Sequence, residues 1–324
     1  MNILFVADPL ATFKPYKDST YAMMREAQAR GHGVHACEPS DLAWRRGDVV
    51  RAQVQAIALL DITPDATLPK QTWFTTQSTA ERELRSFDAI IMRKDPPFDA
   101  EYIYATHMLE QSEREGARVF NRPSALRDHP EKLALMQFSE WAPPTLVTRS
   151  AADIRAFHAE HHDIILKPLD GMGGAGIFRV GANGMNLGAI IETLNQGGAQ
   201  TVMVQRYLPQ ISDGDKRVLV IGGEAVPFAL ARIPQGNEVR GNLAAGGKGV
   251  AMPLTEQERT IAQAIGPTLA ARGLLLVGLD VIGGHLTEVN VTSPTCFQEI
   301  TQQMGFPVAG RFIDALEAAL ALSQ

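Results

Sequence analysis

Two apolar, β-branched runs enclose a cluster of glycines at residues 165 to 180, "ILKPLDGMGGAGIFRV". This arrangement restricts the local fold more than any other stretch. Gly171, Gly173 and Gly176 spell G-x-G-x-x-G, the spacing of a dinucleotide fingerprint. That fingerprint works when the glycines turn a strand into a helix, seat a pyrophosphate at the helix N-terminus and precede an acid that holds the ribose. Here they open into "IFRV", which reads as a strand, and the downstream "GMNLGAII" holds no acid. A Walker A loop is missing too, because Gly247 and Lys248 are followed by Gly249 rather than Ser or Thr. The stretch therefore reads as strand, flap, strand. Backbone N–H groups in a loop poor in Cβ atoms close over phosphate oxygens, and Lys167 on the incoming strand adds a point charge.

A second cluster lies in "GLDVIGGHLTEVNVTSPT". Glu288 and Asn290 are two apart and share one strand face, while Val289 and Val291 take the opposite, buried face. A three-residue loop at Gly283, Gly284 and His285 would set Asp280 across from Glu288. A two-residue loop would send it to the wrong face unless a bulge intervened. Oxygen donors of this hardness suit Mg²⁺ that bridges nucleotide phosphates and keeps its own waters. Between the two clusters come Arg217 and Arg232, at the ends of apolar strands where an unpaired guanidinium is costly to bury, so they are expected to face anions. Arg240 lies in "PQGNEVRGNLAAGGKG", a Gly-rich stretch that reads as a lid.

The chain as a whole reads as α/β. Residues 2 to 7, the helix in "DSTYAMMREAQARG" capped by Asp18 or Ser19, and "GVHACE" form a βαβ start. "AIIMR", a helix "AEYIYATHMLEQSERE" and "RVFN" extend it as a parallel sheet covered by helices. Residues 45 to 85, with Pro64 and Pro69, show no usable period. A helix is expected near Pro130, then strand "TLVT", helix "SAADIRAFHAEHH", strand "DIILKPL", the flap, "GIFRV", a helix near 186 to 196 and "TVMVQRYL". A strand-rich stretch to about 293 and a final helix "AGRFIDALEAALAL" complete the chain. The expected units are 1–121, 122–204 and 205–324.

Net charge is −6 with no Lys/Arg block, which excludes the footprint nucleic acid requires. No apolar run is long enough for a membrane helix and no leader is recognisable, so a cytoplasmic protein is expected. Cys37 and Cys296 are too few for a disulfide framework or a Cys-based zinc site. Cys296 reads as a small buried residue rather than a nucleophile. His158, His161 and His162 have helical spacing but read as a polar helix end.

The order Lys132, Lys167, "DGMGG", "VQRYL", "GDKRV", Arg232, Arg240 and "GLD…TEVN" resembles the ATP-grasp carboxylate–amine ligases. "MRKDPPFD", "ILKPLDGMGGAGIFRV", "RIPQGNEVRGNLAAGG" and "LTEVNVTSPT" are similar to the bacterial glutathione synthetases in particular, over nearly the whole chain. The resemblance implies an N-terminal parallel-sheet domain followed by two ATP-grasp lobes that grip the nucleotide. It implies ATP-driven joining of γ-glutamylcysteine and glycine through an acyl phosphate, with Mg²⁺ (or Mn²⁺) as cofactor, in a homo-oligomer, either tetramer or dimer. Lys132 and Lys167 would contact ATP phosphates under Gly171, Met172, Gly173 and Gly174. Gln205, Tyr207 and Leu208 would line the adenine pocket as a hinge. Asp280, Glu288 and Asn290 would hold the metal, and Arg217 and Arg232 would meet the transferring phosphoryl group and the substrate carboxylate. Arg240 would ride the lid, and Asp95, Asp215, Ser293 and Pro294 would help recognise the peptide.

Three other readings compete: a different carboxylate–amine ligase, a nucleotide-binding regulatory module without turnover, and the dehydrogenase suggested by the glycine spacing. The ligase reading requires the glycine hairpin and the carboxylate strands to face one space.

Overall fold

The computed structural model describes residues 1–322 apart from 65, 66, 68–70, 237 and 239. Three sheets organise the described residues. In the first, Asn2–Val6 pairs in parallel with Gly33–Cys37 on one side and Ala89–Met92 on the other, and Ala89–Met92 pairs in parallel with Val119–Phe120. Residues 3 to 6 are fully buried, as a strand covered on both faces requires. Helix Ser19–Ala29 is capped by Asp18, whose carboxylate accepts the Tyr21 N–H at 2.8 Å, and the chain leaves it through Gly31 at φ 78°. Helix Ala100–Arg114 is capped by Asp99 in the same way.

Residues 45 to 85, unassigned from the sequence, contain a long antiparallel hairpin. Arg51–Leu59 pairs with Phe74–Glu83 and joins the parallel sheet antiparallel to Gly33–Cys37. The inner strand alternates between buried and more exposed residues, whereas the outer one is exposed along nearly its whole length. An edge strand with no buried face leaves no hydrophobic period to read. Pro69 lies outside the described residues.

The expected helix near Pro130 is replaced. A short helix occupies Pro123–Asp128, and residues 133–138 form 3₁₀ turns. Pro123 stands at the first helical position, which its fixed φ favours. Another omission is helix Glu256–Ala271, inside the stretch read as strand-rich. Thr255 and Glu258 make a reciprocal capping box at its start, a T-x-x-E signature visible in "LTEQER". Helix Phe297–Met304 was likewise not anticipated, while the final helix runs Val308–Ala321.

The second sheet, in spatial order Phe178–Val180, Ile164–Pro168, Val202–Arg206 and Thr145–Thr148, is antiparallel throughout. Its residues Ile164, Leu166, Val180, Val202 and Val204 join Ile154 and Ile191 in a core of their own. The third sheet orders Lys248–Pro253, Glu224–Ile233, Asp215–Ile221, Leu276–Ile282 and His285–Asn290, again antiparallel. It shares cores with the first sheet: Val218, Leu279 and Val289 fall in one cluster with Leu4, Val6 and Ile90. Each such buried aliphatic side chain contributes about 1.5–3 kcal/mol; the first and third sheets form a common platform that Met203 of the second sheet also joins, while most of that sheet's apolar residues pack in their own cluster. Among the described residues no helix is long and apolar enough to cross a membrane.

Candidate functional site

The glycine cluster folds as a hairpin loop. Phe178 pairs with Leu166 and Val180 with Ile164, so the chain returns antiparallel instead of entering a helix. The dinucleotide geometry is therefore absent at this loop. Gly173 and Gly174 have φ of 61° and 84°, and a Cβ on Gly174 would stand 2.7 Å from Asn242 Oδ1. A side chain here would displace the neighbouring lid segment.

The carboxylate strands meet through a different device. Leu276–Ile282 and His285–Asn290 are joined by the two-residue turn Gly283–Gly284, both at positive φ, 55° and 78°, as a tight turn between twisted strands demands. That turn alone would misalign Asp280. A bulge restores the register: Val281 pairs with Leu286 but Asp280 pairs with Glu288, leaving Thr287 as the extra residue. The Thr287 hydroxyl donates to the Asp280 carbonyl at 3.1 Å, and the Thr287 carbonyl accepts from Lys167 Nζ at 3.4 Å.

Strand register then builds a charged sheet face. Arg217 lies directly across from Asp280, and Asp215 across from Arg232. Arg217 forks onto Asp280, Nε to Oδ1 at 2.5 Å and Nη2 to Oδ2 at 3.0 Å. Arg232 Nη2 reaches Asp215 Oδ2 at 2.6 Å and Asp280 Oδ2 at 2.8 Å. Burial alone would raise the Asp280 carboxyl, but Arg217 and Arg232 outweigh it and hold it well below the usual range. Burial lifts Asp215 to about 6 against the pull of Arg232.

Lys132 connects the two hairpins. Its Nζ stands 3.0 Å from Glu288 Oε1 and donates to the Gly171 carbonyl at 2.8 Å. Burial works against its charge, yet Glu288 more than compensates and its ammonium is held above the usual range. Lys167 is the opposite case. Burial pushes its ammonium down, with Glu288 pulling the other way, so an arriving anion would favour its charged form.

All the residues given a role in the ligase reading line one cavity of about 300 Å³. Gln205 is buried and donates to Thr145 Oγ1 at 3.1 Å, with Tyr207 and Leu208 beside it. Arg240 donates to the Gly174 carbonyl at 3.3 Å, laying the lid segment on the flap. Ser293 donates a short hydrogen bond to Asp95, and Pro294 offers its carbonyl to Arg93 Nη2 at 3.0 Å. The residues missed are Glu131, Thr287 and Asn242. Glu131 precedes Lys132, which was the one available signal. Burial, reinforced by Glu288, lifts its carboxyl to about 7. Cys296 also lines the cavity, but burial pushes its thiol up to about 11, the wrong direction for a nucleophile. His158 bonds the Gly181 carbonyl at 2.9 Å and His161 packs on Phe157, away from this cavity.

Among the described residues no three His, Cys, Asp or Glu side chains form a ready cage for a metal. Asp280 has both oxygens engaged by guanidinium groups. Glu288 and Asn290, on one face of the bulged strand, are oxygen donors opening on the cavity. Such a set fits a hard cation that brings waters and substrate phosphates as its remaining ligands.

This arrangement of sheets is found in solved structures. D-cycloserine synthetase DcsG matches at a TM-score of 0.67 and 15% identity, over 99% of this chain and all of that one. ATP-grasp ligase PsnB matches at 0.59 and 20% identity, over 98% of each. In fold, the chain is an ATP-grasp protein. Residues 1–127 match the prokaryotic glutathione synthetase N-terminal domain, and 131–305 match the prokaryotic glutathione synthetase ATP-grasp domain. A glutathione synthetase from Ralstonia nicotianae is 61% identical over 319 residues, covering 98% of this chain and 96% of that protein. The chain belongs to the prokaryotic glutathione synthetase family.

Proposed function

We propose that the chain joins γ-glutamylcysteine to glycine with consumption of ATP, giving glutathione, ADP and phosphate through an acyl phosphate. Family membership supports the overall reaction. The single observation that carries the mechanism is Lys132, in contact with both the glycine flap and Glu288. A triphosphate entering between the hairpins meets backbone N–H groups on one side and carboxylates on the other.

A carboxylate is a poor electrophile, so the cysteinyl carboxylate of the dipeptide is phosphorylated first and the amine of glycine then displaces phosphate. Phosphoryl transfer calls chiefly for positioning and charge neutralisation. In this reading Gln205, Tyr207 and Leu208 receive the adenine, Lys132 and Lys167 hold phosphate oxygens, and Gly171 to Gly174 cover them. Glu288, Asn290 and Asp280 would hold Mg²⁺, or Mn²⁺ in its place. The cation when bound neutralises charge on the phosphates. Arg217 and Arg232, kept in place by Asp280 and Asp215, face the transferring phosphoryl group and the substrate carboxylate. Arg240 and the lid keep water from the acyl phosphate. Asp95, Ser293 and Pro294 take the dipeptide, and Asp215 acts on it through Arg232.

The reading divides the chain at 1–121, 122–204 and 205–324. It places the enzyme in the cytoplasm, consistent with its two free thiols, and takes it to be a homodimer or homotetramer. The test is phosphate release with ATP, Mg²⁺ and γ-glutamylcysteine, with glycine, D-alanine or glutamate as acceptor. Glycine-dependent release with formation of glutathione is expected. Turnover with another amine in preference to glycine would overturn the acceptor assignment.

A further inference from the structure

The hinge residue Tyr207 is held from outside the cavity by a group that the mechanism does not use. Arg179 sits on Phe178–Val180, the strand that leaves the glycine flap. Its guanidinium carbon lies 3.6 Å from the centroid of the Tyr207 ring. The same guanidinium forks onto Asp163, Nε to Oδ1 at 3.0 Å and Nη2 to Oδ2 at 2.7 Å. Asp163 closes the circuit through its backbone, its carbonyl accepting the Tyr207 N–H at 2.8 Å. Tyr207 is thus fixed twice, at its ring by Arg179 and at its amide by the residue that Arg179 grips.

An isolated exposed ion pair contributes little. This one is bidentate, stacked and attached to a residue lining the cavity, a combination a guanidinium supplies and an ammonium does not. Stacking on one face of Tyr207 removes freedom from the ring and from the backbone of the hinge. The strand that anchors the flap over the phosphates therefore also sets the wall beside the base.

We infer that Arg179 is a positioning residue for the nucleotide, clamping the 205–208 hinge in its receptive place. The inference rests on reading 205–208 as the adenine hinge. The experiment measures Mg·ADP binding by calorimetry, and KM for each substrate with kcat, in the wild type, Arg179→Ala and Arg179→Lys. In both variants the Kd for Mg·ADP and the KM for ATP rise about three- to tenfold. KM for γ-glutamylcysteine and glycine, and kcat at saturating ATP, stay within about twofold because the groups around the acyl phosphate are untouched. In a Tyr207→Leu background, the effect of Arg179→Ala on Mg·ADP affinity is smaller, because the ring contact is gone and only the route through Asp163 to the residue 207 amide is left. Unchanged Mg·ADP affinity in Arg179→Ala, full rescue by lysine, or an equal loss across all three KM values would overturn the inference. A wild-type protein that does not bind Mg·ADP would instead remove the nucleotide reading on which it rests.

Discussion

The two hairpins that meet over the cavity solve opposite problems with the same topology. The glycine hairpin, Ile164–Pro168 and Phe178–Val180, joins its strands by a long loop with Met172 exposed at its tip. It offers backbone and space. The carboxylate hairpin, Leu276–Ile282 and His285–Asn290, has a two-residue turn, a bulge, a buried Asp280 paired with Arg217 and Arg232, and a half-buried Glu288 paired with Lys132. It offers fixed side chains. On the proposed reading, a phosphate chain enters and leaves under the first hairpin, which suits a loop with few side chains. A cation site and its arginines, on that reading, hold their positions in a poorly solvated place, which suits paired strands.

If that contrast is right, substitutions in the two hairpins separate stability from turnover. The largest loss of stability is expected at Asp280. Asp280→Asn leaves Arg217 and Arg232 buried with half their counter-charge and costs on the order of 3–5 kcal/mol, measured by chemical denaturation. Retention of wild-type stability would mean that the arginines are not anchored as described. Glu288→Gln keeps the shape and is expected to lower phosphate release by more than about 100-fold while shifting Tm by only a few degrees. Near-normal turnover would remove Glu288 from the cation site.

Smaller effects are expected in the flap. Gly174→Ala introduces a Cβ at φ 84°, against Asn242. The expected result is a fall of about tenfold in kcat/KM for ATP with about 1 kcal/mol lost in stability; a larger stability loss would show that the flap is as tightly built as its partner.

Asp18, outside both hairpins, is the control. Burial lifts its carboxyl from 3.8 to about 6 despite the Tyr21 cap. Its stabilising contribution is therefore complete below its unfolded pKa and is lost as pH rises through the folded one. Asp18→Asn preserves the cap and should match the wild type in Tm near about pH 4 and exceed it near about pH 8. An equal Tm difference at both pH values would exclude this titration.

Much of the site was legible because its chemistry lies in short runs. Lys167 and the flap glycines are contiguous, and Glu288 and Asn290 share a face by simple alternation. The first helix was legible because its cap, read at Asp18, agreed with its pattern. The T-x-x-E box at Thr255 carries the same kind of signal for helix Glu256–Ala271. The outer strand Phe74–Glu83 was not readable, since it has no buried face to impose a period. Nor was the fork of Arg179 on Asp163 and Tyr207, which joins one strand to residues flanking two others.

Residue order alone determined that the glycine cluster could not open a helix, because β-branched and aromatic residues follow it at once. It also limited the placement of Asp280 to two alternatives. The choice between them belonged to tertiary structure: the turn is short and Thr287 bulges. Pairing across strands then decided which charges neutralise which, setting Arg217 opposite Asp280 and Asp215 opposite Arg232. Local sequence encodes dihedral preference and period, whereas the neutralisation of a buried charge depends on partners that folding brings within a few ångströms.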